Sequence, residues 1–481
     1  MVIAPETRPQ EYLSFIVAEQ ELPKGVNIEK DLDEAMADYG GTLQYWKPNA
    51  RVGQNKGFDR DYFQTKTDLT IRILETHGYV DPDDIKRTQD FIDDAFDIYE
   101  GKKAPLRKSN SFAFVAATRV QRHQRSSDSF APCDYRRETV GCMPILKYLD
   151  EPSSQKVMVG LPPFVLDYYG EDDKGGGGIM IFSPLFLDLL GDSGDKAIDV
   201  GMNVAQETSW FAKERLDVKL MSLAALLPKH TGYGALFKYP GIKTTTGHGG
   251  TTWLIGEVAR KAIEEEKVEP TLSSRIGVLG VGGIGFAVAH YLLETSPGIQ
   301  IAINDHDARR QSMVSDSLRE KFGKNRVLDK NSIEELLKFG GVTVSAITRA
   351  IDLTTLDLHP GDLKGRVYVD DSQPAAIASE QVKQYGGLHV GVIAEDRSKI
   401  GALTGKRFNY GGMGPKELTQ AYGCCAEGAA IFYTGNLEKD AITAPVEQNP
   451  EVVKRIGGFC TEMGITPARL QTLFQNRAIY V

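Results

Sequence analysis

Long apolar runs are absent from this chain, and cysteine is scarce. No segment of its 481 residues approaches the ~20 consecutive apolar residues that span a bilayer, and Glu6, Arg8 and Glu11 stand where a secretory signal would be apolar. The five cysteines, at 133, 142, 424, 425 and 460, show no zinc-site spacing. We therefore expect a cytoplasmic protein with free thiols, without a membrane span and without a metal site.

Basic residues are outnumbered, since 56 lysines and arginines face 65 acidic residues and leave a net charge of -9. This balance argues against nucleic acid as a general partner. One segment, residues 102–137, has the opposite charge balance. Its only acidic residues are Asp128 and Asp134, and its basic residues are Lys102, Lys103, Arg107, Lys108, Arg119, Arg122, Arg125, Arg136 and Arg137. A solvated basic face explains this segment. The alternative is a docking patch for an acidic or phosphate-bearing partner, such as a carrier protein.

The order of predicted elements indicates an open α/β fold with more than one domain. Apolar residues with helical spacing before residue 100 make the N-terminal part mainly helical. From residue 156 onward, strands alternate with helices. Strands are predicted at 112–115, 157–161, 179–182 and 218–227, and helices near 194–215 and 250–266.

A glycine-rich turn between a strand and a helix is the strongest local pattern. A short apolar strand, 276–279, leads into Gly280, Gly282 and Gly285, and an apolar helix follows. In such a turn the first glycine permits the tight reversal, the second lets the backbone approach a pyrophosphate, and the third allows close helix–strand packing. The helix N-terminus offers N–H groups to the phosphates. The sequence therefore predicts a Rossmann-type dinucleotide site.

Asp305 follows the next predicted strand, where a carboxylate accepts hydrogen bonds from the adenine ribose and favours NADH. Arg309 and Arg310 oppose this preference, since either can reach the 2′-phosphate of NADPH. Thr348 and Arg349 follow another apolar strand and are expected to border the nicotinamide. The candidates for cofactor binding are therefore Gly280, Gly282, Gly283, Ile284, Gly285, Asp305, His306, Arg309 and Thr348.

Two adjacent cysteines lie in a helix that is predicted between residues 414 and 435. Cys425 belongs to the apolar stripe of this helix and is expected to be buried. Cys424 lies on the polar face, where a thiol can meet a ligand. The predicted start places Cys424 about two and a half turns into the helix, too far for the N-terminal dipole to act on it. Glu427 would disfavour the thiolate unless it is paired elsewhere.

Further motifs accompany the glycine turn in a fixed order. They are Thr246-Gly247-His248 with Thr251 and Thr252, then Asp370-Asp371-Ser372-Gln373-Pro374, Gly423-Cys424-Cys425-Ala426-Glu427 and Gly464-Ile465-Thr466-Pro467. With these motifs, residues 156–481 resemble the cyanobacterial long-chain acyl-[acyl-carrier-protein] reductases, which are distant relatives of the shikimate dehydrogenase-like fold. Residues 1–155 lie outside the resemblance.

The resemblance implies reduction of an acyl thioester to an aldehyde with NADPH, through a thioester on Cys424. The thiolate would displace the carrier thiol, and hydride from the nicotinamide would release the aldehyde. His248 is either a satisfied loop residue or a proton donor to the leaving thiol or to the hemithioacetal oxygen. Thr246 and Thr251 are expected to cap the following helix.

The chain departs from the family in its nucleotide site. Asp305 and His306 stand where the family has a small residue and an arginine, and the glycine turn is one residue shorter. The cofactor is therefore NADPH by resemblance, whereas Asp305 favours NADH. The acyl donor is expected to be an acyl-carrier protein or a coenzyme A thioester, and an aminoacyl-tRNA would fit the same thiol chemistry.

The expected architecture is an α/β fold with a Rossmann domain at 268–410 and a catalytic domain assembled from 156–267 and 411–481. Residues 1–155 form an extra, mainly helical region that would act as a lid, a docking surface or an oligomer contact. Two other functions stay open. One is a non-covalent dehydrogenase of the shikimate or amino-acid type, in which Cys424 only packs. The other is a nucleotide-binding protein without turnover.

Overall fold

The computed structural model of the chain describes residues 27–36, 58–78, 80–105, 111–118, 142–158, 160–169, 177–186, 195–224, 227–232, 239–265, 267–347, 350–372, 375–397, 419–435 and 451–470. Within these residues the fold is α/β, with two mainly parallel sheets, a small antiparallel sheet and helices that join them. Among the described helices, none combines the length and the apolar character that crossing a bilayer requires.

Three helices open the described part of the chain: α1 (Glu29–Met36), α2 (Arg60–Thr76) and α3 (Pro82–Glu100). The first of the two longer helices ends at Thr76, and the next begins at Pro82. Asp81 caps α3 through its side chain, and Pro82 fills a first-turn position that needs no N–H. Arg60 joins α2 to α3, because its guanidinium lies 2.6 Å from Asp93 and 2.6 Å from Asp97.

One large sheet contains five described strands in the order β2-β3-β1-β4-β5. They are β1 (Ser111–Thr118), β2 (Phe164–Tyr169), β3 (Gly178–Phe186), β4 (Val218–Leu223) and β5 (Lys243–Thr245). All are parallel to their neighbours except β2, which is antiparallel to β3. Because β1 lies in the middle, residues before 155 supply the central strand of this sheet. The helices of this part are α4 (Glu151–Met158), α5 (Asp195–Trp210), α6 (Leu227–His230) and α7 (His248–Glu264).

The other large sheet contains six described strands, all parallel, in the order β11-β10-β9-β6-β7-β8. They are β6 (Arg275–Leu279), β7 (Gln300–Asn304), β8 (Val327–Asp329), β9 (Val342–Ser345), β10 (Val367–Asp370) and β11 (Leu388–Gly391). Counted from its first strand, the order is 3-2-1-4-5-6, which is that of dinucleotide-binding sheets. The Rossmann-type fold that the glycine turn predicts is thereby confirmed. Its helices are α8 (Gly283–Thr295), α9 (Ala308–Phe322), α10 (Ile333–Phe339) and α11 (Ser379–Gln384).

The C-terminal part of the chain forms a small antiparallel sheet, whose strand order is β13-β12-β14. Its elements are β12 (Ala394–Asp396), β13 (Gln420–Ala421), α12 (Gly423–Tyr433), α13 (Glu451–Glu462) and β14 (Ile465–Pro467). Helix α7 packs against α12 and α13, and also against α8, β9 and β10. It therefore joins the five-stranded sheet, which it follows, to the six-stranded sheet.

A continuous apolar core connects these layers. It extends from Phe63 and Phe96 of the N-terminal helices, through Trp253 of α7, to Val278 and Val344 in the six-stranded sheet. These five side chains are 0–5% exposed. Burial of large apolar side chains stabilises a fold by about 1.5–3 kcal/mol each, so this core is the main reason that the N-terminal helices stay attached.

Two predicted elements differ from the structure. The strand predicted at 157–161 is wrong, because α4 continues to Met158 and buries Val157 and Met158 as helical residues. A short apolar run does not by itself distinguish a strand from a buried helix. The helix predicted at 414–435 begins only at Gly423, because Gln420 and Ala421 pair with β12 instead. Residues 414–418 lie outside the described residues.

The buried His290 of α8 makes stability depend on pH. Its Nε2 lies 2.9 Å from the Nζ atom of Lys321, and burial followed by this ammonium lowers the pKa of His290 to about 4. The unfolded chain binds the proton at a pKa near 6.5, so stability is lost as the pH falls from about 6.5 toward 4. We expect His290→Gln to flatten this dependence. The Tm of the variant minus the Tm of the wild type should be on the order of 2 °C higher at pH 5 than at pH 7.5. Parallel Tm curves of variant and wild type in differential scanning fluorimetry would contradict this.

Candidate functional site

The glycine turn after β6 has the geometry that its sequence predicts. Gly280 has a φ of +80°, and its N–H donates to the carbonyl of Asn304 at 2.8 Å. A Cβ at Gly285 would lie 1.8 Å from the carbonyl oxygen of Gly280, so only glycine allows α8 to pack on the strand end. Gly282 precedes the first residue of α8, and a Cβ there would have no atom within 4 Å. Space beside Gly282 is therefore open to a ligand.

The turn lies between β7 and β9 at the carboxyl end of β6, where the strand order reverses direction. Open α/β sheets bind ligands at this switch point. Gly283 and Ile284 are the first two residues of α8, so their backbone N–H groups belong to the helix N-terminus. These N–H groups and the helix dipole suit the phosphates of a dinucleotide.

The carboxylate of Asp305 is held inside the protein at the end of β7. It accepts hydrogen bonds from the N–H of Val281 at 2.7 Å, from the N–H of Asp307 at 2.9 Å and from Nη2 of Arg310 at 2.8 Å. Burial acts to raise the pKa of Asp305, but the hydrogen bonds from Arg310 and the two N–H groups outweigh it and lower the pKa. Asp305 is therefore ionised at neutral pH and fixes the glycine turn to the start of α9.

The residues around Asp305 differ in exposure. The Nδ1 atom of His306 lies 3.1 Å from Oδ1 of Asp305, and 84% of the His306 side chain is exposed. Arg309 is also exposed. Arg309 and Arg310 are the two arginines that the sequence predicts near a 2′-phosphate. Of these two, Arg310 forms an ion pair with Asp305. Thr348 lies outside the described residues.

Cys424 is the second residue of α12, next to the helix start. The sequence-based position two and a half turns into a helix is therefore wrong, because the preceding residues form β13. A thiolate at this position is stabilised by the N–H groups and the dipole of the helix N-terminus. Cys424 is half-buried, whereas Cys425 is 2% exposed, as its place in the apolar stripe predicts.

The start of α12 lies against the start of α7. Gly247, the N-cap of α7, has a φ of +71°, and a Cβ there would lie 2.4 Å from the Cβ of Cys424. A Cβ at Gly250 would lie 2.3 Å from the carbonyl oxygen of Gly423. The two helix starts therefore approach each other at backbone distance, which only glycines permit.

Ser222 and Glu427 hold this contact, and neither was found as a site residue in the sequence. The Ser222 hydroxyl, in β4, donates to the carbonyl of Cys424 at 2.8 Å, across 202 positions of sequence. Glu427 does not face solvent, since it is 1% exposed and accepts hydrogen bonds from Gly250 at 2.6 Å and from Gly247 at 3.2 Å. Burial raises the pKa of Glu427, although these N–H groups act in the opposite direction.

His248 is the first residue of α7 and follows the glycine that contacts Cys424. Burial lowers the pKa of His248 to about 4, so its imidazole is neutral at pH 7. A neutral ring has one nitrogen that accepts a proton and one N–H that donates. Thr246 and Thr251 were expected to cap the start of α7. Thr246 accepts a long hydrogen bond of 3.4 Å from the N–H of His248, and Glu427 accepts a shorter one from the N–H of Gly250 at the same helix start.

The motif after β10 organises its own turn. Asp370 is 2% exposed and accepts hydrogen bonds from the N–H groups of Ser372 at 2.8 Å and of Ala376 at 2.7 Å. Its Oδ2 atom also lies 3.5 Å from Nε2 of His389. Asp371 is half-buried. Asp370 therefore orders the loop that follows β10.

Little of the basic segment belongs to the described residues. Lys102 pairs with Glu100 at 2.6 Å, and Lys103 pairs with Asp94 at 2.6 Å, so these two charges are used within the N-terminal helices. The other basic residues of the segment, and with them the predicted docking patch, lie outside the described residues.

Comparisons with known proteins concern the fold alone. No protein-family model matches the chain, and no curated protein matches it significantly. Among solved structures, quinate dehydrogenase from Corynebacterium glutamicum in complex with NAD is 13% identical, with a TM-score of 0.31 over 74% of this chain and 100% of that chain. Δ1-pyrroline-2-carboxylate reductase from Thermococcus litoralis, in complex with NADH and L-proline, is 15% identical, with a TM-score of 0.24 over 30% and 45%. The imine reductase BcSIRED from Bacillus cereus is 14% identical, with a TM-score of 0.18 over 26% and 44%. The chain thus spans less than half the length of these two reductases.

The glycine turn gives a prediction with a matched control. We expect Gly282→Ala to fold normally, because its Cβ meets no atom within 4 Å, but to bind NADH at least about tenfold more weakly because the methyl group occupies the phosphate position. Gly285→Ala is expected to lower the Tm instead, because its Cβ would meet the backbone of Gly280. Fluorescence titration and thermal scans of both variants separate the two roles. Normal NADH binding by a folded Gly282→Ala protein would exclude a dinucleotide at this turn.

Proposed function

We propose that this protein is a nicotinamide-dependent oxidoreductase that reduces an acyl thioester to an aldehyde through a thioester on Cys424. The observation that supports this most directly is the place of Cys424. It is the second residue of α12, close to the start of α7 and to the carboxyl end of β4. The Rossmann-type sheet and its open turn beside Gly282 support the cofactor class.

The proposed reaction has two steps. In the first, the Cys424 sulfur attacks the acyl carbonyl and the carrier thiolate leaves, so a C–S bond forms on the protein and the donor C–S bond breaks. The carrier thiolate then takes up one proton. When bound, the nicotinamide supplies a hydride to the acyl carbonyl. Collapse of the resulting hemithioacetal releases the aldehyde and returns the electron pair of the C–S bond to Cys424.

The residues around Cys424 fit these steps. The N-terminus of α12 favours the attacking thiolate and offers N–H groups to negative charge on the carbonyl oxygen. His248, whose imidazole is neutral at pH 7, accepts the thiol proton and returns it to the leaving sulfur. Ser222 donates to the carbonyl of Cys424 and so orients the residue without touching the substrate.

The acyl donor in this proposal is an acyl-carrier protein or coenzyme A thioester. A plain dehydrogenase would use the same sheet and glycine turn, with Cys424 as a packing residue. A nucleotide-binding protein without turnover would use the turn alone. A test of covalent acylation at Cys424 therefore separates the first function from the other two, and ketone reduction separates the dehydrogenase from the binding protein.

The covalent intermediate can be measured directly. We expect intact-protein mass spectrometry to show one acyl adduct on the wild type after incubation with an acyl thioester and no nicotinamide, and none on Cys424→Ala. Cys425→Ala is the matched control, since Cys425 is adjacent but 2% exposed, and it should acquire the adduct like the wild type. An adduct on Cys424→Ala, or none on any variant while ketone reduction proceeds, would reject the thioester mechanism.

We further propose that NADH is the preferred cofactor. The ionised Asp305 lies where the adenine ribose of a dinucleotide is expected, and its charge would repel a 2′-phosphate. Arg310, which could otherwise pair with that phosphate, already contacts Asp305 through Nη2 at 2.8 Å. Both effects disfavour NADPH.

This preference is expected to change when the charge of Asp305 is removed. Asp305→Asn should improve NADPH binding relative to NADH by about tenfold, which is ~1.4 kcal/mol, because the charge that repels the 2′-phosphate is removed and the ion pair that directs Arg310 to residue 305 is lost. Adding Arg310→Gln should cancel this gain, and adding Arg309→Gln should leave it. Fluorescence titration of both cofactors measures the ratio. Tighter binding of NADPH than NADH by the wild type would contradict the proposal.

A further inference from the structure

The start of α7 is capped by a residue from another helix. Oε2 of Glu427 accepts a hydrogen bond from the N–H of Gly250 at 2.6 Å, and Oε1 accepts from the N–H of Gly247 at 3.2 Å and from the hydroxyl of Thr245. The first N–H groups of a helix have no partner within the helix, and the N-cap Gly247 has no side chain to supply one. Glu427, 177 positions from Gly250, fills this role.

This cap lies one helical turn from Cys424 on the same helix. The contact is tight on both sides, since a Cβ at Gly423 would lie 2.6 Å from the Cα of Thr251 and a Cβ at Gly247 would lie 2.4 Å from the Cβ of Cys424. Movement of the first turn of α12 would therefore break the hydrogen bonds of Glu427. Conversely, these hydrogen bonds oppose any movement of Cys424 away from α7.

We propose that Glu427 is a positioning residue, which fixes the first turn of α12 against the start of α7 and so holds Cys424 in place against Gly247. The inference rests on the proposed role of Cys424 and extends it. Glu427 touches neither substrate nor cofactor in this proposal. It acts through the backbone of Gly247 and Gly250.

A direct effect of charge is the competing explanation, and it predicts the opposite sign. A carboxylate three residues from a thiol disfavours the thiolate, so its removal alone would let Cys424 react at lower pH. Loss of positioning loosens the first turn of α12, whose N–H groups stabilise the thiolate. The pH midpoint of Cys424 alkylation would then rise toward the ~8.5 of an unconstrained thiol.

The test compares full-length wild type, Glu427→Ala, Glu427→Gln and a control, Glu257→Gln. Glu257 is also a glutamate with hydrogen bonds to α7, but it lies within α7 itself and accepts from Tyr291 at 2.7 Å and from Arg260 at 2.9 Å, more than two turns from the helix start. Iodoacetamide labelling of Cys424 between pH 5 and 10 is followed by peptide mass spectrometry. The kcat for a thioester and the KM for NADH are measured on the same proteins.

For Glu427→Ala we expect a higher alkylation midpoint and a kcat that falls on the order of 100-fold, with KM for NADH changed less than about twofold. Glu427→Gln should be intermediate, because an amide cannot accept from both Gly247 and Gly250. The control should resemble the wild type in both measurements. These results together support positioning.

A lower midpoint in the Glu427 variants, or values equal to those of Glu257→Gln, would overturn the inference. Failure of both Glu427 variants to fold would overturn it too, because the residue would then serve folding and not position. If the wild type reduces no thioester and forms no adduct, the proposed function fails. The alkylation midpoints still decide whether Glu427 positions the sulfur.

Discussion

The close approach of α7 and α12 is the contact on which the arrangement around Cys424 depends. Gly247, Gly250 and Gly423 leave no room for a Cβ, so the two helix starts meet backbone to backbone. At this distance water is excluded from the first N–H groups of α7, and a buried N–H without a partner costs about 1–3 kcal/mol. The carboxylate of Glu427 meets that requirement, and its own burial is tolerable only because these donors surround it.

Helix α7 also connects the two large sheets. α7 follows β5 of the five-stranded sheet and packs against α8, β9 and β10 of the six-stranded sheet. Its start is therefore fixed to Cys424, while its length lies against the sheet that carries the glycine turn. Since helices in a close-packed core resist deformation, the distance between thiol and cofactor site is set by one rigid element. This arrangement supports the proposed reaction, in which an acyl group on Cys424 meets a hydride donor.

Local patterns in the sequence predict the six-stranded sheet well and the thiol site only in part. The turn at Gly280 is specified by residues that are neighbours in sequence, so strand, turn and helix are all found. The start of α12 is decided by pairing of β13 with β12 and by contacts with α7, which no local pattern contains. Tertiary contacts therefore place the start of α12 at Gly423, later than the local pattern predicts. Ser222 carries no motif, because its partner is 202 residues away.

Asp305 and Glu427 are both buried carboxylates, but their hydrogen-bond partners differ in kind. Glu427 is held by two backbone N–H groups and a hydroxyl, all of which are fixed by the fold. Asp305 is held by the N–H groups of Val281 and Asp307 and by the half-exposed guanidinium of Arg310, which is a side-chain partner and not part of the backbone. A ribose hydroxyl can replace Arg310 at Asp305 while the backbone hydrogen bonds remain. A ligand could replace the partners of Glu427 only if α7 moved. Of the two carboxylates, only Asp305 is therefore suited to contact a ligand.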